Sequence, residues 1–112
     1  MTTLRNSVQL IGHLGNDPET IIFGDNKTMV KFPLATSSYY KDKNGERVTD
    51  TQWHNIVAWG GTATIAEKYL KKGQEIAISG KITYRSWDDK EGNTRYITEI
   101  SANEIAMFSK KN

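Results

Sequence analysis

The sequence predicts an all-β domain, a five-stranded barrel with one short helix between the third and fourth strands. Three observations support this class. Apolar and polar residues alternate with the period of a strand along most of the chain, glycine-rich or charged breaks separate the strands, and one segment changes to a helical period. With 112 residues and 37% hydrophobic composition, the chain fits one domain over residues 1–112 with a single modest core.

Alternation of apolar and polar residues predicts the first two strands. Residues 8–14 show it most clearly, and the Gly-Asn-Asp-Pro break at residues 15–18 ends that strand. A short apolar stretch at residues 21–23 precedes a Gly-Asp-Asn turn signal, and the second strand follows over residues 29–38. Because Pro33 has no N–H to donate, we expect this strand at a sheet edge or Pro33 at an unpaired position.

A polar insertion separates the second strand from the third. Residues 39–50 are predicted to form a mobile hairpin loop, because they contain a glycine and offer almost nothing to bury. The third strand, residues 51–60, is rich in β-branched and aromatic residues. Alternation places Trp53 and Trp59 on one face of this strand and His54 on the other.

One segment changes from the strand period to the helical period. Apolar residues recur at helical spacing over residues 63–70, Thr62 is the predicted N-cap, and Lys-Lys-Gly at residues 71–73 supplies C-terminal cations and a stop. The sequence therefore predicts a short helix between the third strand and the fourth.

The last two strands are predicted to form a long hairpin. Residues 75–87 alternate, and Gly80 is the predicted bending point. A charged tip at residues 88–93 connects this strand to the last one, residues 94–108. The order of three strands, a helix and two strands fits a small Greek-key barrel of the OB type, and another partly open barrel with an incidental helix is the alternative.

Composition and charge narrow the function classes. Cysteine is absent, which excludes disulfides and thiolate metal sites, and no apolar run is long enough for a membrane-spanning helix. The polar residues 1–7 do not have the pattern of a signal peptide, so we expect a cytoplasmic protein with no membrane partner. His13 and His54 share no cluster with carboxylates, and no nucleophile motif is present, so we expect no enzymatic activity, metal site or cofactor. The formal charge of +2 is too small to indicate a polyanion partner by itself.

The aromatic residues carry the functional hypothesis. Trp53 and Trp59 bracket the third strand, Trp87 ends the fourth, and Tyr40 precedes them, with basic residues nearby. Rings at intervals with cations between them suit a sequence-tolerant binder of single-stranded nucleic acid, because bases stack on the rings and cations attract the phosphates. The same aromatics could instead fill a small core, and the pattern alone leaves both interpretations open.

Sequence motifs along the chain also favour binding of single-stranded nucleic acid. In chain order they are LIGHLGNDPE from Leu10, LATS from Leu34, TQWHNIV from Thr51, YLKKG from Tyr69, ISGKI from Ile78, RSW from Arg85 and RY from Arg95. These segments cover essentially the whole chain, and together they resemble the bacterial single-stranded DNA-binding protein family, SSB. The resemblance implies an OB-fold, usually a homotetramer, that wraps single-stranded DNA without sequence preference in replication, recombination and repair and has no catalytic role.

Carried over by position, the resemblance implies four stacking residues. Tyr40 stands where many members have a tryptophan, Trp53 and Trp87 match stacking tryptophans, and Trp59 matches a stacking phenylalanine. The cations expected to follow the phosphates are Lys31, Lys43, Lys72 and Arg85.

The resemblance also implies an oligomer interface. His54 matches a histidine at the family's subunit interface, where the first strand also pairs, so Val8 and Leu10 are expected there with it. Without the resemblance, His54 would be an ordinary strand histidine. Gly61 and Ser86 depart from the family, because relatives often have a lysine or arginine at these positions, so weaker phosphate attraction is expected there.

The end of the chain is a further departure. Typical members continue through a disordered linker to an acidic tip ending in Pro-Phe, whereas this chain stops at residues 108–112. The usual tail-mediated protein partners are therefore in doubt, and both a naturally tailless protein and a fragment remain open. The alternative function is an OB-like oligomeric interaction module of a replication or mobile-element protein, with DNA as a secondary partner.

Overall fold

The structure, a computed structural model, describes residues 5–22, 24 and 27–108. The predictions for the chain start, the turn at residues 24–26 and the chain end lie partly outside these residues. The described elements are β1 (Val8–Leu14), β2 (Glu19–Ile22), β3 (Thr28–Lys41), β4 (Arg47–Trp59), α1 (Gly60–Tyr69), β5 (Glu75–Asp88) and β6 (Thr94–Met107).

All six described strands belong to one sheet that closes on itself. Their order is β1-β5-β6-β4-β3-β2, and β1 also pairs with β3, which completes a barrel of five strands. The β4–β6 pairing is parallel and the others are antiparallel. The OB-type barrel with a helix between the third and fourth predicted strands is confirmed. One strand, β2, was not predicted. It pairs with β3 at the edge of the sheet and includes part of the apolar stretch at residues 21–23.

The core lies inside the barrel, on the face that alternation predicts. Even-numbered residues of β3 and β4 point inward because successive strand residues face opposite sides. Ala63 and Ala66 of α1 are fully buried against the same cluster. The other members of the core are Leu14, Val30, Phe32, Leu34, Ile56, Ala58, Leu70, Ile76, Ile78, Ile100 and Ala102. The helix therefore packs on the barrel core through small residues.

Pro33 and Gly80 occupy the special positions that the sequence indicates. β3 is not an edge strand, but Pro33 lies between Lys31, which ends the pairing with β2, and Leu34, where pairing with β1 begins. Pro33 therefore has no ladder partner on the side of β1 and β2, as predicted, whereas on the other side it lies opposite Asn55 of β4. The register of β5 against β6 shifts between Ser79 and Gly80, where Asn103 of β6 has no partner, and a Cβ on Gly80 would collide with the backbone of β6. The ladder is therefore irregular at the residue where the sequence predicts a bend.

The predicted loop over residues 39–50 is wrong for most of its length. Pairing of β3 with β4 continues without a break to Lys41 and Arg47, so only residues 42–46 form the turn. Backbone hydrogen bonds can extend a two-stranded ladder with little apolar burial, which is why the polar composition misled the prediction. At the turn, Asp42 Oδ1 accepts the N–H groups of Asn44 and Glu46, both at 2.9 Å.

Both long hairpins extend beyond the barrel as two-stranded ribbons. We call residues 37–51 the β3–β4 ribbon and residues 84–98 the β5–β6 ribbon. Nearly all of their side chains are exposed. The ribbons therefore position side chains for contact with a partner without adding to the core.

The helix begins earlier than its sequence pattern indicates. α1 starts at Gly60, its N-cap is Trp59 without a side-chain capping bond, and Thr62 lies inside the first turn, so the predicted cap is wrong. The positive φ of Gly60, 59°, lets the chain turn directly from β4 into the helix. At the other end the helix stops at Tyr69, with Leu70 as an extended C-cap, so the predicted glycine stop is wrong; Gly73, with φ 85°, lies in the turn that follows.

Candidate nucleic-acid interface

A groove of about 280 Å³ opens on the outer face of the barrel. The β1–β2 connection, the outward residues of β3 and β4, and the β5–β6 hairpin meet there. Its lining residues are Asn16, Asp17, Glu19, Lys31, Phe32, Pro33, Asn55, Ile56, Val57, Arg85, Ile97 and Glu99. The groove is shallow and open, which suits a chain-like ligand lying across the surface better than an enclosed small molecule.

The three tryptophans lie on β4 and β5, two of the strands that line this groove, and Trp59 also lines a separate depression with Lys27 and Thr64. Residues two apart on a strand share a face. On β4, Trp53 and Trp59 lie two residues before Asn55 and two residues after Val57, so they share the face of these groove residues. On β5, Trp87 lies two residues after Arg85 and shares its face. Their exposed fractions are 63% for Trp53, 43% for Trp59 and 46% for Trp87. The interpretation that these rings fill the core is therefore wrong for the single chain.

The Trp53 ring is positioned by Gly15. A Cβ built on Gly15 would lie 2.8 Å from Cη2 of Trp53 and 3.3 Å from Cγ of Pro33. A separation of 2.8 Å is shorter than the contacts that Cβ atoms make in proteins. The Trp53 ring can therefore occupy this position only because residue 15 has no side chain. The indole is thus supported from below by the β1–β2 connection and presents its remaining surface to solvent.

Carboxylates neutralise the two cations in the groove. Lys31 Nζ lies 3.4 Å from Glu19 Oε1. Arg85 donates from Nε to Glu99 Oε1 at 3.1 Å and from Nη2 to Glu99 Oε2 at 2.9 Å. The hydrogen bond to Glu99 raises the pKa of the Arg85 guanidinium above its ordinary value. With Asp17, the lining holds three carboxylates and two cations, so its charge does not attract phosphate.

Sequence reasoning missed Glu99. The residue as a whole is only 5% exposed, although its side chain is charged. Its burial depends on Arg85, which lies on the facing strand of the hairpin, and no local pattern indicates such a partner. Thr83 Oγ1 also donates to the backbone carbonyl of Glu99 at 3.4 Å, which helps fix this part of the hairpin.

The structure does not bring Lys43 and Lys72 into the groove. Lys43 is exposed in the turn of the β3–β4 ribbon. Lys72 follows α1, where its backbone N–H donates to Asp17 Oδ1 at 2.8 Å. It lines a separate depression together with His13, Tyr69 and Phe108. These two lysines could contact only parts of a long ligand that extend beyond the groove.

Tyr40 lies on the opposite face of the β3–β4 ribbon from Trp53. The register between the two strands is unbroken, with Ala35 opposite Trp53 and Tyr40 opposite Val48. Outward residues of β3 are therefore odd-numbered, and the ring on the same face as Trp53 is that of Tyr39. Tyr39 is 57% exposed. Sequence reasoning missed it because the face of a ribbon residue depends on a register that the sequence leaves undefined.

The predicted interface residues lie near one open strand edge. Val8 and Leu10 are half-buried and pack on the core. Among the described residues, no strand pairs with residues 8–11 on the side away from β5. His54, also half-buried, has its Nε2 at 2.9 Å from Thr36 Oγ1. This edge could accept a further strand.

Membrane-spanning helices and metal centres are missing from the part of the chain that the structure describes. Within residues 5–22, 24 and 27–108, no helix is long and apolar enough to pass through a membrane. Over the same residues, no three histidine or acidic side chains converge as a metal ion would require.

Comparison with known proteins gives consistent similarities. The profile of the "Single-strand binding protein family" matches residues 5–108. The chain is 48% identical over 107 residues to "Single-stranded DNA-binding protein 1" of Chlorobaculum tepidum, covering 95% of this chain and 66% of the relative. It is 45% identical to the protein of the same name from Xylella fastidiosa, covering 95% of this chain and 79% of the relative. The chain thus spans about two thirds to four fifths of the length of these relatives.

A solved structure described as "Plasmodium falciparum SSB complex with ssDNA" has a similar fold. Its TM-score against this chain is 0.84 at 27% identity, covering 97% of this chain and 99% of that one. The similarity extends over nearly all of both chains, so it includes the barrel and both hairpins.

Proposed function

The chain belongs to the single-strand binding protein family, and from this premise we propose that it binds single-stranded DNA without sequence preference. The observation that supports this most directly is that Trp53, Trp59 and Trp87 are exposed on the two strands β4 and β5 that line the groove. Every base has a π face, so stacking on these rings tolerates any sequence. Protection of unpaired DNA during replication, recombination and repair is the role that follows.

Base stacking supplies most of the affinity in this proposal. Trp53, Trp59 and Trp87 each hold a base, at about 1–3 kcal/mol per ring. Duplex DNA binds poorly, because its bases already stack on each other. Since Lys31 and Arg85 are paired with carboxylates, bases face the groove and phosphates lie toward its rim, where Lys43 and Lys72 contact the strand on either side. Tyr40 contributes from the other face of the β3–β4 ribbon.

The protein acts as a homo-oligomer, a tetramer by analogy with the family. The open edge at residues 8–11 and the half-buried His54 provide the surface for pairing with a second copy. Association would cover Val8 and Leu10 further, which favours it in a domain of this size. We place this activity in the cytoplasm at the nucleoid, with no catalytic step.

Tryptophan fluorescence tests the proposal. Titration of the protein with oligo-dT should strongly quench the tryptophan fluorescence. The double variant Trp53→Ala/Trp87→Ala should bind oligo-dT more than tenfold more weakly than the wild type. Tyr84→Ala is the matched control, because Tyr84 is 78% exposed but points to the other side of the β5–β6 ribbon. Sedimentation with and without the oligonucleotide gives the subunit number and stoichiometry. Little quenching and unchanged affinity in the tryptophan variants would support the interaction-module function instead.

A further inference from the structure

A second aromatic feature lies on the same face as Trp53, farther along the β3–β4 ribbon. The guanidinium carbon of Arg47 is 3.8 Å from the centroid of the Tyr39 ring, so the two groups are stacked in direct contact. Both side chains are exposed. Neither one fills the core, so packing inside this domain does not explain the pair.

The ribbon geometry connects this pair to Trp53. Trp53 lies opposite Ala35 in the ladder, and Tyr39 follows four residues later on the same face of β3. At about 3.3 Å per residue the two rings are roughly 13 Å apart along the ribbon. Between them lie only the small hydroxyl side chains of Ser37 and Thr51, whose oxygens are 3.5 Å apart. A flexible strand that leaves Trp53 can therefore continue along this face.

The charges on this face differ from those in the groove. The outward side chains of the ladder from Ser37 onward are Ser37, Tyr39, Lys41, Arg47, Thr49 and Thr51. They include two cations and no carboxylate, whereas the groove lining has more carboxylates than cations. At the turn, Asp42 accepts two backbone N–H groups through Oδ1. This face of the ribbon therefore supplies the attraction for phosphate that the groove lacks.

We propose that the stacked Tyr39–Arg47 pair is a further binding site for single-stranded DNA, an inference that rests on the proposed function. One base stacks on the face of the Arg47 guanidinium turned away from Tyr39, since unpaired bases stack on guanidinium planes as well as on aromatic rings. Lys41 contacts the neighbouring phosphate. The tyrosine keeps the guanidinium flat against the ribbon, so little side-chain freedom is lost when DNA binds.

Substitution of the pair tests this site. Tyr39→Ala and Arg47→Lys should each raise the Kd for a long oligo-dT by about 5- to 100-fold, the effect of losing one stacked base. Arg47→Lys keeps the positive charge, so the slope of affinity against salt should stay as in the wild type, whereas Lys41→Ala removes the phosphate contact and should reduce that slope by about one. The double variant Tyr39→Ala/Arg47→Lys should bind like the weaker single variant, because the two residues act as a unit.

The outcomes separate this site from the proposed function. Tyr84→Ala, on the other ribbon, should bind like the wild type, and thermal melting of every variant should be unchanged because the ribbon is exposed. Wild-type affinity in Tyr39→Ala and Arg47→Lys, with weakened binding in Trp53→Ala, would overturn this inference and leave the proposed function intact. Additive losses in the double variant would also overturn it. No binding of oligo-dT by the wild type would overturn both.

Discussion

Arg85 and Glu99 are held together by two parallel hydrogen bonds, one of 3.1 Å and one of 2.9 Å. The side chain of Arg85 is 52% exposed, whereas that of Glu99 is 6% exposed. A buried carboxylate thus fixes the orientation of an exposed guanidinium, whose centre also lies 5.9 Å from the Trp87 ring. The pair orders the groove wall beside Trp87 and at the same time cancels the charge of Arg85.

Glu99→Gln should strengthen the dependence of DNA binding on salt. The amide keeps the shape of the carboxylate but removes its charge, so Arg85 becomes available to a phosphate. The slope of log affinity against log salt should steepen by about one, and affinity at low salt should rise. The free energy of unfolding should fall by about 1–3 kcal/mol, since a charge-assisted hydrogen bond is lost. Titrations with oligo-dT at several salt concentrations and urea denaturation measure the two effects.

Glu104→Gln is the control for this prediction. Glu104 is an exposed carboxylate on the same strand, opposite Ser79 and away from the groove lining. Its substitution removes the same formal charge from the protein. Equal salt slopes for the two variants would show that net charge, and not release of Arg85, determines the effect.

Gly15→Ala should weaken DNA binding more than it weakens the fold. The added methyl group would meet the end of the Trp53 side chain, which can rotate away at small cost. The displaced indole then no longer stands at the groove, and we expect a loss of up to about 1–3 kcal/mol in oligo-dT affinity. Fluorescence titration measures it. Gly24→Ala, where the methyl group meets nothing within 4 Å, should bind normally; equal affinities would refute the supporting role of Gly15.

Gly80→Ala should destabilise the barrel strongly. Its Cβ would collide with the carbonyl of Ser101 and approach the Cα of Ala102 to 2.9 Å, and these backbone atoms cannot move without breaking the β5–β6 ladder. We expect a loss of several kcal/mol, in the range of other overpacked cores. Gly61→Ala, in the open first turn of α1, should instead be neutral or stabilise by up to about 1 kcal/mol. Urea denaturation of the two variants side by side provides the measurement.

The tip of the β5–β6 ribbon should loosen in acid. Hydrogen bonds to its carboxylate lower the pKa of Asp89 below its ordinary 3.8. The largest contribution is from the backbone N–H of Asn93, and the next is from the Arg95 side chain. Because the folded-state pKa is depressed, this stabilisation is present above pH 3.8 and is lost as the pH falls through the lower folded-state value. The amide resonances of Glu91 and Asn93 should shift in that range by NMR. In the Asp89→Asn variant these two amide resonances should not shift over that pH range. An unchanged pH-dependent shift in the variant would show that a group other than Asp89 causes it.

Sequence alone predicted the barrel well because burial imposes a period on the chain. Inward residues such as Val30, Phe32 and Leu34 are apolar and alternate with Lys31, Pro33 and Ala35, and this contrast locates the strand and its core face. Pro33 and Gly80 were predicted for the same kind of reason, since backbone chemistry restricts where each can lie. The three tryptophans were found from their residue type and confirmed as exposed.

What sequence could not predict depends on contacts between distant segments. The burial of Glu99 requires Arg85 across the hairpin, and the position of the Trp53 ring requires Gly15 from another connection. The face occupied by Tyr39 follows from the ladder register, in which a shift of one residue exchanges the two sides. Outside the core no hydrophobic period marks that register, so most of the polar β3–β4 ribbon was predicted as a loop.

The two ribbons separate recognition from folding stability. Their side chains contribute little to the barrel, so substitutions there can change affinity, salt response or footprint while the melting temperature stays nearly constant. A library randomised at the outward positions of residues 37–51 could therefore be selected directly for tighter or weaker capture of a given oligonucleotide. Compensating changes elsewhere in the chain would be unnecessary, which makes this domain a convenient scaffold for reagents that recognise unpaired strands.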